Sequence, residues 1–165
     1  MIARACISIA VLALVFACAG PPVPEAPRSS VQARSASAAS PSARTDVARA
    51  AVSMIGAPYR YGGSSPRGFD CSGLVQYTYA QAGITGLPRT VSALERRVRP
   101  ISLADLEPGD LLFFRLSGKK TSHVAIYVGD RAFVHAPSGG KWVEKVDFDH
   151  VYWGPRLGRA GRLEF

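Results

Sequence analysis

The chain has 165 residues, a formal net charge of +8 at pH 7 and a sequence pI of about 9.9. This length accommodates one domain with short additions, and the basic balance favours an anionic partner such as cell-wall material or phospholipid head groups. No nucleic-acid-binding motif accompanies the charge, so we expect no nucleic-acid partner.

The N-terminal segment lacks the composition of a folded domain. An apolar run, ACISIAVLALVFA, is too short to span a bilayer and predicts the core of a signal peptide over residues 1–17. The sequence VFAC resembles the lipobox of bacterial lipoproteins, which implies cleavage before Cys18 and acylation of that residue. An ordinary secretory signal with an incidental cysteine is the alternative. Residues 18–44 are rich in Pro, Ser and Ala, and we predict a lipidated cysteine followed by a disordered tether.

Cysteine usage singles out Cys71. Cys6 leaves with the predicted signal peptide and Cys18 is blocked if it is lipidated, so Cys71 has no intramolecular disulfide partner. An unpaired thiol in an exported protein indicates either a reactive nucleophile or a buried structural cysteine. The cysteine count alone leaves both interpretations open.

Helices are predicted in the first half of the domain, which we place at residues 45–165. The segment TDVARAAVSMIG has a capping Thr45 or Asp46 and a closing glycine. After a loop rich in Gly, Pro and Ser, the segment CSGLVQYTYAQAG predicts a second helix. Asp70 is its natural N-cap, which puts Cys71 in the first turn. The segment TVSALERR predicts a short third helix.

Strands are predicted in the second half, where apolar runs alternate with turn residues. The predicted strands are Leu111–Arg115, Ser122–Val128, Ala132–Ala136, Trp142–Val146 and Arg156–Leu163. Helices followed by strands predict an α+β fold in which the helices pack on a mostly antiparallel sheet.

Two of the three histidines in the domain fall on one predicted hairpin, SHVAIYVGDRAFVHAP. A turn around Gly129-Asp130 places His123 directly opposite His135, with Cβ atoms about 5 Å apart. Strand alternation assigns further side chains to the histidine face: Ala125, Tyr127 and Phe133. One imidazole can accept a thiol proton while the other orients the first. Because a helix start and an adjacent imidazole both lower a thiol pKa, we expect an activated Cys71. A zinc site made from the thiol and both imidazoles is an alternative.

Six motifs, PYRYGG, GFDCSGLV, LPRT, LEPGDLLFF, SHVAIYVGD and FVHAP, occur in this order along the domain. Their types and spacing resemble the NlpC/P60 cell-wall peptidases, which are papain-like cysteine hydrolases, over nearly all of residues 46–165. The resemblance implies a papain-like fold in which Cys71 is the nucleophile, His123 the base and His135 the residue that orients it. It also implies that Tyr59 places its hydroxyl near the oxyanion.

The same resemblance suggests residues that bind the substrate. Asp70 and Ser72 would hold the free amino group of a short peptide. Arg89 is either a contact for a stem-peptide carboxylate or an ordinary solvated arginine. Relatives often carry a Gln shortly after the LPRT motif, where this chain has SALER, so the shape of the substrate groove is open.

The activity implied is that of a lipid-anchored endopeptidase. It would cleave the bond between γ-D-glutamyl and a diamino acid in peptidoglycan stem peptides through a cysteine thioester, without a metal or an organic cofactor. A related cysteine amidase or acyltransferase and a wall-binding lipoprotein without turnover are the alternatives.

The expected partners are peptidoglycan stem peptides and, through the lipid anchor, a membrane. We expect a monomer and leave a protein regulator open. Ala19 stands where an aspartate retains lipoproteins of enteric bacteria in the inner membrane. By that analogy we expect the outer membrane, with the domain facing the periplasm.

Overall fold

The computed structural model describes residues 41–164. The predicted signal peptide, the lipidated Cys18 and the tether up to residue 40 lie outside the described residues. Within residues 41–164, no helix is long and apolar enough to cross a membrane.

In the described part of the chain, three α-helices precede the main sheet: α1 (Pro41–Ser53), α2 (Cys71–Gln81) and α3 (Val91–Arg97). The second and third helices lie where the sequence predicted them, and the Thr90 side chain caps α3 by accepting the Ala93 N–H. The first helix begins four residues before the predicted Thr45. The end predicted for the tether is therefore wrong. Arg44 is helical and its Nη2 lies 2.5 Å from Oε2 of Glu107, which ties this first turn to the domain.

The strands form a two-residue hairpin pair and one six-stranded sheet. They are β1 (Ser64–Ser65), β2 (Gly68–Phe69), β3 (Val98–Ile101), β4 (Leu111–Phe114), β5 (His123–Gly129), β6 (Ala132–His135), β7 (Glu144–Asp147) and β8 (Leu157–Leu163). The large sheet has the order β3-β8-β4-β5-β6-β7, and all its pairs are antiparallel. The predicted α+β class is confirmed.

Two elements were missed by the sequence analysis. Strand β3 has the sequence VRPI and lies at the edge of the sheet, where a proline is tolerated. The β1–β2 pair has only two residues in each strand, within the Gly-rich segment that we predicted to be a loop. Neither segment carries a detectable apolar alternation.

Each face of the sheet has its own hydrophobic cluster, as the alternation along β5 predicts. Val124 and Ile126 pack with residues of α1 and α2, while Ala125 packs with Phe133 and Trp153 on the other face. The faces assigned from the sequence are confirmed, and the two histidines share the second one.

The predicted register between β5 and β6 is wrong. Tyr127 pairs with Phe133, so His123 and His135 are two positions away from direct opposition. A shift by an even number of residues keeps every side chain on its original face of the sheet. The imidazoles therefore remain on one face, but they meet along a diagonal.

The turn between these strands explains the difference. Asp130 and Arg131 form its centre with φ angles of 51° and 54°, so Gly129 pairs with Ala132. These positive φ values are typical of a type I′ hairpin turn. The pairing of Gly129 differs from the predicted register by three positions. An irregularity in the ladder between Tyr127 and Gly129 reduces this difference to two positions for the rest of the strand pair. Without that irregularity the difference would stay odd, and the two histidines would lie on opposite faces of the sheet.

Candidate active site

Asp70 fixes the start of α2, as predicted. Its Oδ1 accepts the Gly73 N–H at 2.8 Å, and its backbone is extended as an N-cap requires. The helix start packs against the backbone of the preceding loop, where a Cβ on Gly73 would lie 1.9 Å from the carbonyl oxygen of Gly63. A glycine two residues after Cys71 is therefore required for this close approach.

Cys71 occupies the first turn of α2 and is half-buried; it is the one free cysteine of the described part of the chain. The backbone N–H groups of Ser72, in the same turn, and of Val124 on β5 lie close enough to the thiol to lower its pKa. Val124 directly follows His123 on β5, so the helix start lies beside the strand that carries the first imidazole. The thiol and the histidine pair belong to one site.

The thiol does not have the lowered pKa that we expected. Burial raises the pKa of Cys71, and the negative charge of Asp70 raises it further. The N–H groups of Val124 and Ser72 lower it, as expected for a helix start, but they do not outweigh burial. At neutral pH the resting thiol is protonated.

His123 and His135 meet through Nε2 and Nδ1, respectively, at 2.9 Å. The first side chain is 4% exposed and the second 0%. Burial lowers the pKa of His123 to about 4, and burial together with the charges of His123 and Lys141 lowers the pKa of His135 to about 2. Both imidazoles are therefore neutral at pH 7, and one proton lies between the two contacting nitrogens.

Trp153 covers the histidine pair, and the sequence analysis missed it. Its ring centroid lies 5.0 Å from that of His123 and 4.4 Å from that of His135, where the two rings meet edge to face. Trp153 lies in the segment FDHVYWG, whose histidine, His150, has a structural contact. His150 accepts the N–H of Tyr152 at 3.1 Å within this turn.

The predicted substrate-binding residues form one cluster beside the thiol. Arg89 donates to both carboxylate oxygens of Asp70, at 2.7 and 2.6 Å, and to Oγ of Ser72 at 2.6 Å. It also donates to the carbonyl oxygen of Gly63 at 3.2 Å. Arg89 is therefore paired, and the alternative of an ordinary solvated arginine is wrong.

Asp70 is ionised in this cluster. Burial opposes its charge, but the hydrogen bonds from Arg89 and from the N–H groups of Gly73 and Gly62 hold the pKa of this carboxyl below its ordinary value. Both oxygens already accept these bonds. An incoming ammonium group must share the carboxylate with Arg89.

Tyr59 lies close to the thiol and to this carboxylate. Burial raises the pKa of the Tyr59 hydroxyl, and the charges of Cys71 and Asp70 raise it further. Its backbone N–H donates to the carbonyl of Lys141 at 2.8 Å, which fixes the segment against the loop before β7. Tyr61, two residues further along the chain, is 91% exposed.

The zinc alternative finds no support in the described residues. Between residues 41 and 164, no group of three or more His, Cys, Asp or Glu side chains is arranged to hold a metal ion.

Comparison with known proteins identifies relatives for most of this domain. Residues 56–162 match the sequence profile of the NlpC/P60 family. The murein DD-endopeptidase MepH of Escherichia coli is 43% identical over 62% of this chain and 39% of its own length. The bifunctional muramidase/DL-endopeptidase CwlT of Bacillus subtilis is 40% identical over 72% of this chain and 36% of its own length. The chain thus spans well under half the length of these curated relatives.

A solved structure has the same fold. A protein of Staphylococcus aureus, described as similar to lipoprotein, NLP/P60 family, superposes with a TM-score of 0.66 at 34% identity. The superposition covers 79% of this chain and 44% of that one. The predicted NlpC/P60 fold is confirmed.

Proposed function

The chain belongs to the NlpC/P60 family, and from this premise we propose that it is a cysteine endopeptidase of peptidoglycan stem peptides. The observation that carries the proposal is the pair of buried, hydrogen-bonded imidazoles of His123 and His135, with the half-buried Cys71 thiol close to Val124, the residue after His123 on β5. A nucleophile, a base and an orienting group require such a combination of side chains.

The reaction begins from a neutral thiol and a neutral imidazole. The sulfur of Cys71 attacks the carbonyl carbon while Nδ1 of His123, the nitrogen that does not contact His135, takes the thiol proton. The tetrahedral intermediate collapses as the C–N bond breaks and the imidazolium returns its proton to the leaving amine. Water then attacks the thioester, with the same imidazole as base, and releases the acid and the thiol.

The developing oxyanion is stabilised by the N–H groups at the start of α2, with Tyr59 as an additional donor. A raised pKa suits this role, because the phenol stays protonated through neutral pH and keeps its proton available for donation. Asp70 and Ser72 hold the free amino group of the peptide, while Arg89 keeps both side chains in place and offers its remaining surface to a carboxylate.

The bond that we propose is the one between γ-D-glutamyl and a diamino acid. The name of CwlT includes a DL-endopeptidase activity, whereas MepH is named as a DD-endopeptidase, so the names of the relatives differ on this point. A carboxylate that can pair with a free amine near the thiol favours cleavage close to the amino end of a stem peptide.

We further propose that the protein acts from the envelope. Cys18 would carry the lipid in the outer membrane, and the segment that follows would let the domain reach peptidoglycan from the periplasmic side. A monomer is sufficient for this chemistry, since every side chain used above comes from one chain. Labelling with an alkyne fatty acid, compared between the natural chain and Cys18→Ala, tests the anchor.

The activity is tested by liquid chromatography with mass spectrometry. The purified protein is incubated with free stem peptides and with cross-linked muropeptides, beside Cys71→Ala. We expect L-Ala-γ-D-Glu to be released only by the natural chain. Release of a whole stem peptide from the sugar would identify an amidase instead, and cleavage of cross-links alone would identify a DD-specificity. Absence of any product dependent on Cys71 would contradict the enzymatic proposal.

A further inference from the structure

His135 has a second nitrogen that the mechanism above does not use. Its Nε2 is buried and, among residues 41–164, has no hydrogen-bond partner of good geometry. A carboxylate oxygen, Oε1 of Glu144, lies 3.3 Å away. These two residues are direct cross-strand partners on β6 and β7, so their Cβ atoms face the same side of the sheet. A buried polar atom of this kind calls for a physical explanation.

The explanation follows from counting protons. Two neutral imidazoles carry two protons on four nitrogens, and the 2.9 Å contact between Nε2 of His123 and Nδ1 of His135 holds one of them. If His123 donates in this contact, its Nδ1 is bare and can accept the thiol proton. The proton of His135 must then lie on Nε2. If His135 donates instead, Nδ1 of His123 is already protonated and cannot act as a base.

The buried surroundings decide between these two states. The productive state puts an N–H on Nε2 of His135, and a buried donor without an acceptor is destabilising. A carboxylate next to that atom removes the penalty. Glu144 is half-exposed, with 43% of its side chain accessible, and its Oε1 still reaches inward to the buried imidazole.

We propose that Glu144 is a positioning residue that selects the productive tautomer of the histidine pair. Its carboxylate accepts the Nε2–H of His135, which directs Nδ1 of His135 to accept from His123. This inference rests on the proposed function, because it assigns His123 as the base. The positive charge of Lys141 also disfavours protonation of His135. His135 therefore orients the imidazole of His123 while remaining neutral itself.

The first test reads the tautomers without any substrate. In the purified ¹⁵N-labelled protein, long-range ¹H–¹⁵N correlation spectra distinguish Nδ1-protonated from Nε2-protonated imidazoles. We expect Nε2–H on both histidines in the natural chain, and a shift towards Nδ1–H on both in Glu144→Ala. Glu144→Gln should restore most of the natural pattern, because its amide oxygen can still accept. Unchanged tautomers in Glu144→Ala would overturn the proposal.

The second test reads turnover. Glu144→Ala should lower kcat roughly tenfold, the scale of one buried hydrogen bond, with KM nearly unchanged. Asp147→Ala removes a carboxylate from an exposed position of the same strand and should leave both constants unchanged. Equal losses in the two variants would overturn the proposal, because they would indicate a general effect of charge or of strand stability.

The two tests separate this inference from the proposed function. If no substrate is cleaved by the natural chain, the proposed function fails, while the tautomer spectra still decide whether Glu144 directs the imidazoles. If cleavage depends on Cys71 but the spectra do not depend on Glu144, the function stands and the positioning role fails.

Discussion

His123 and His135 are joined by a 2.9 Å contact between their ring nitrogens although they are not cross-strand partners. The contact follows a diagonal of the β5–β6 ladder, within the reach of two aromatic side chains. Trp153 packs against both rings and fixes their edge-to-face geometry. The orientation of the proposed base, His123, is thus determined by its hydrogen bond to His135 and by packing against the Trp153 ring. It does not depend on the two histidines being direct cross-strand partners.

Replacing His135 should damage turnover more than binding. In His135→Ala, Nε2 of His123 loses its partner, so both the tautomer and the ring orientation become variable. We expect kcat to fall about 100-fold, between the effect of one hydrogen bond and that of a wrong tautomer, with a small change in KM. Steady-state kinetics on the identified substrate measure this. Asp147→Ala, at an exposed position of β7, is the control and should retain activity; equal losses would contradict the assignment.

The alkylation rate of Cys71 should depend on pH as expected for a thiol that is protonated at neutral pH. Because burial raises the pKa of the thiol and lowers the pKa of His123 to about 4, little thiolate is present at neutral pH. The rate of alkylation by iodoacetamide should therefore rise about tenfold per pH unit from pH 6 to pH 8. His123→Ala should leave this profile in place, since the imidazole is uncharged there. A rate plateau across the same range, abolished by His123→Ala, would indicate a thiolate–imidazolium pair instead.

The fold should lose stability as the pH falls below about 6.5. An unfolded histidine binds its proton near that pH, whereas the folded His123 stays neutral down to about pH 4 and His135 to about pH 2. The unfolded state thus binds more protons, and each buried histidine costs about 1.4 kcal/mol of unfolding free energy per pH unit. Stability is fully present above pH 7 and declines between pH 6 and pH 5, before most carboxylates titrate.

Urea unfolding at pH 7, 6 and 5 measures this slope. His135→Gln should reduce the slope by about half, because one of the two neutral histidines is removed. A slope that is the same in both proteins would contradict the assignment of neutral, buried imidazoles.

The features that were predicted correctly have local signals. The cap at Asp70 and the position of Cys71 follow from a short polar residue before an apolar helix, and the two faces of β5 follow from alternation. The register could not be predicted, because Asp130 and Arg131 form a tight turn without the Asn-Gly or Asp-Gly pair that normally reveals one. The sequence therefore indicated which side chains share a face, but not which ones are opposed.

Contacts between distant segments left no comparable signal. Trp153 reaches the histidines from a turn after β7, and nothing in its neighbouring residues predicts that packing. Arg89 lies 19 residues after Asp70, so no helix or strand period relates the two. The burial of a side chain likewise depends on distant segments. We expected the helix start to lower the pKa of the Cys71 thiol, but burial in the folded domain raises it.

Replacing Arg89 should raise the pKa of the Asp70 carboxyl. Burial raises the pKa of this carboxyl, and the two hydrogen bonds from the Arg89 guanidinium are the main cause that lowers it. Arg89→Ala should therefore raise the pKa of Asp70 towards or above its ordinary value. Arg89→Lys should restore only part of the effect, since an ammonium group cannot bridge both oxygens. The pKa is measured from the ¹³C shift of the Asp70 carboxyl across a pH titration.

Arg89→Ala also tests whether the Asp70 carboxylate binds the amino group of the peptide or only pairs with Arg89. If Asp70 binds the amino group of the peptide, as we propose, KM in Arg89→Ala should change for a peptide with a free amine and change much less for its N-acetylated form. Arg67→Ala removes an exposed arginine from the neighbouring loop and should alter neither the pKa nor KM. An unchanged pKa of Asp70 in Arg89→Ala would contradict the ion pair as the cause of its low value. Equal changes in KM for both peptides would contradict recognition of the amine by Asp70.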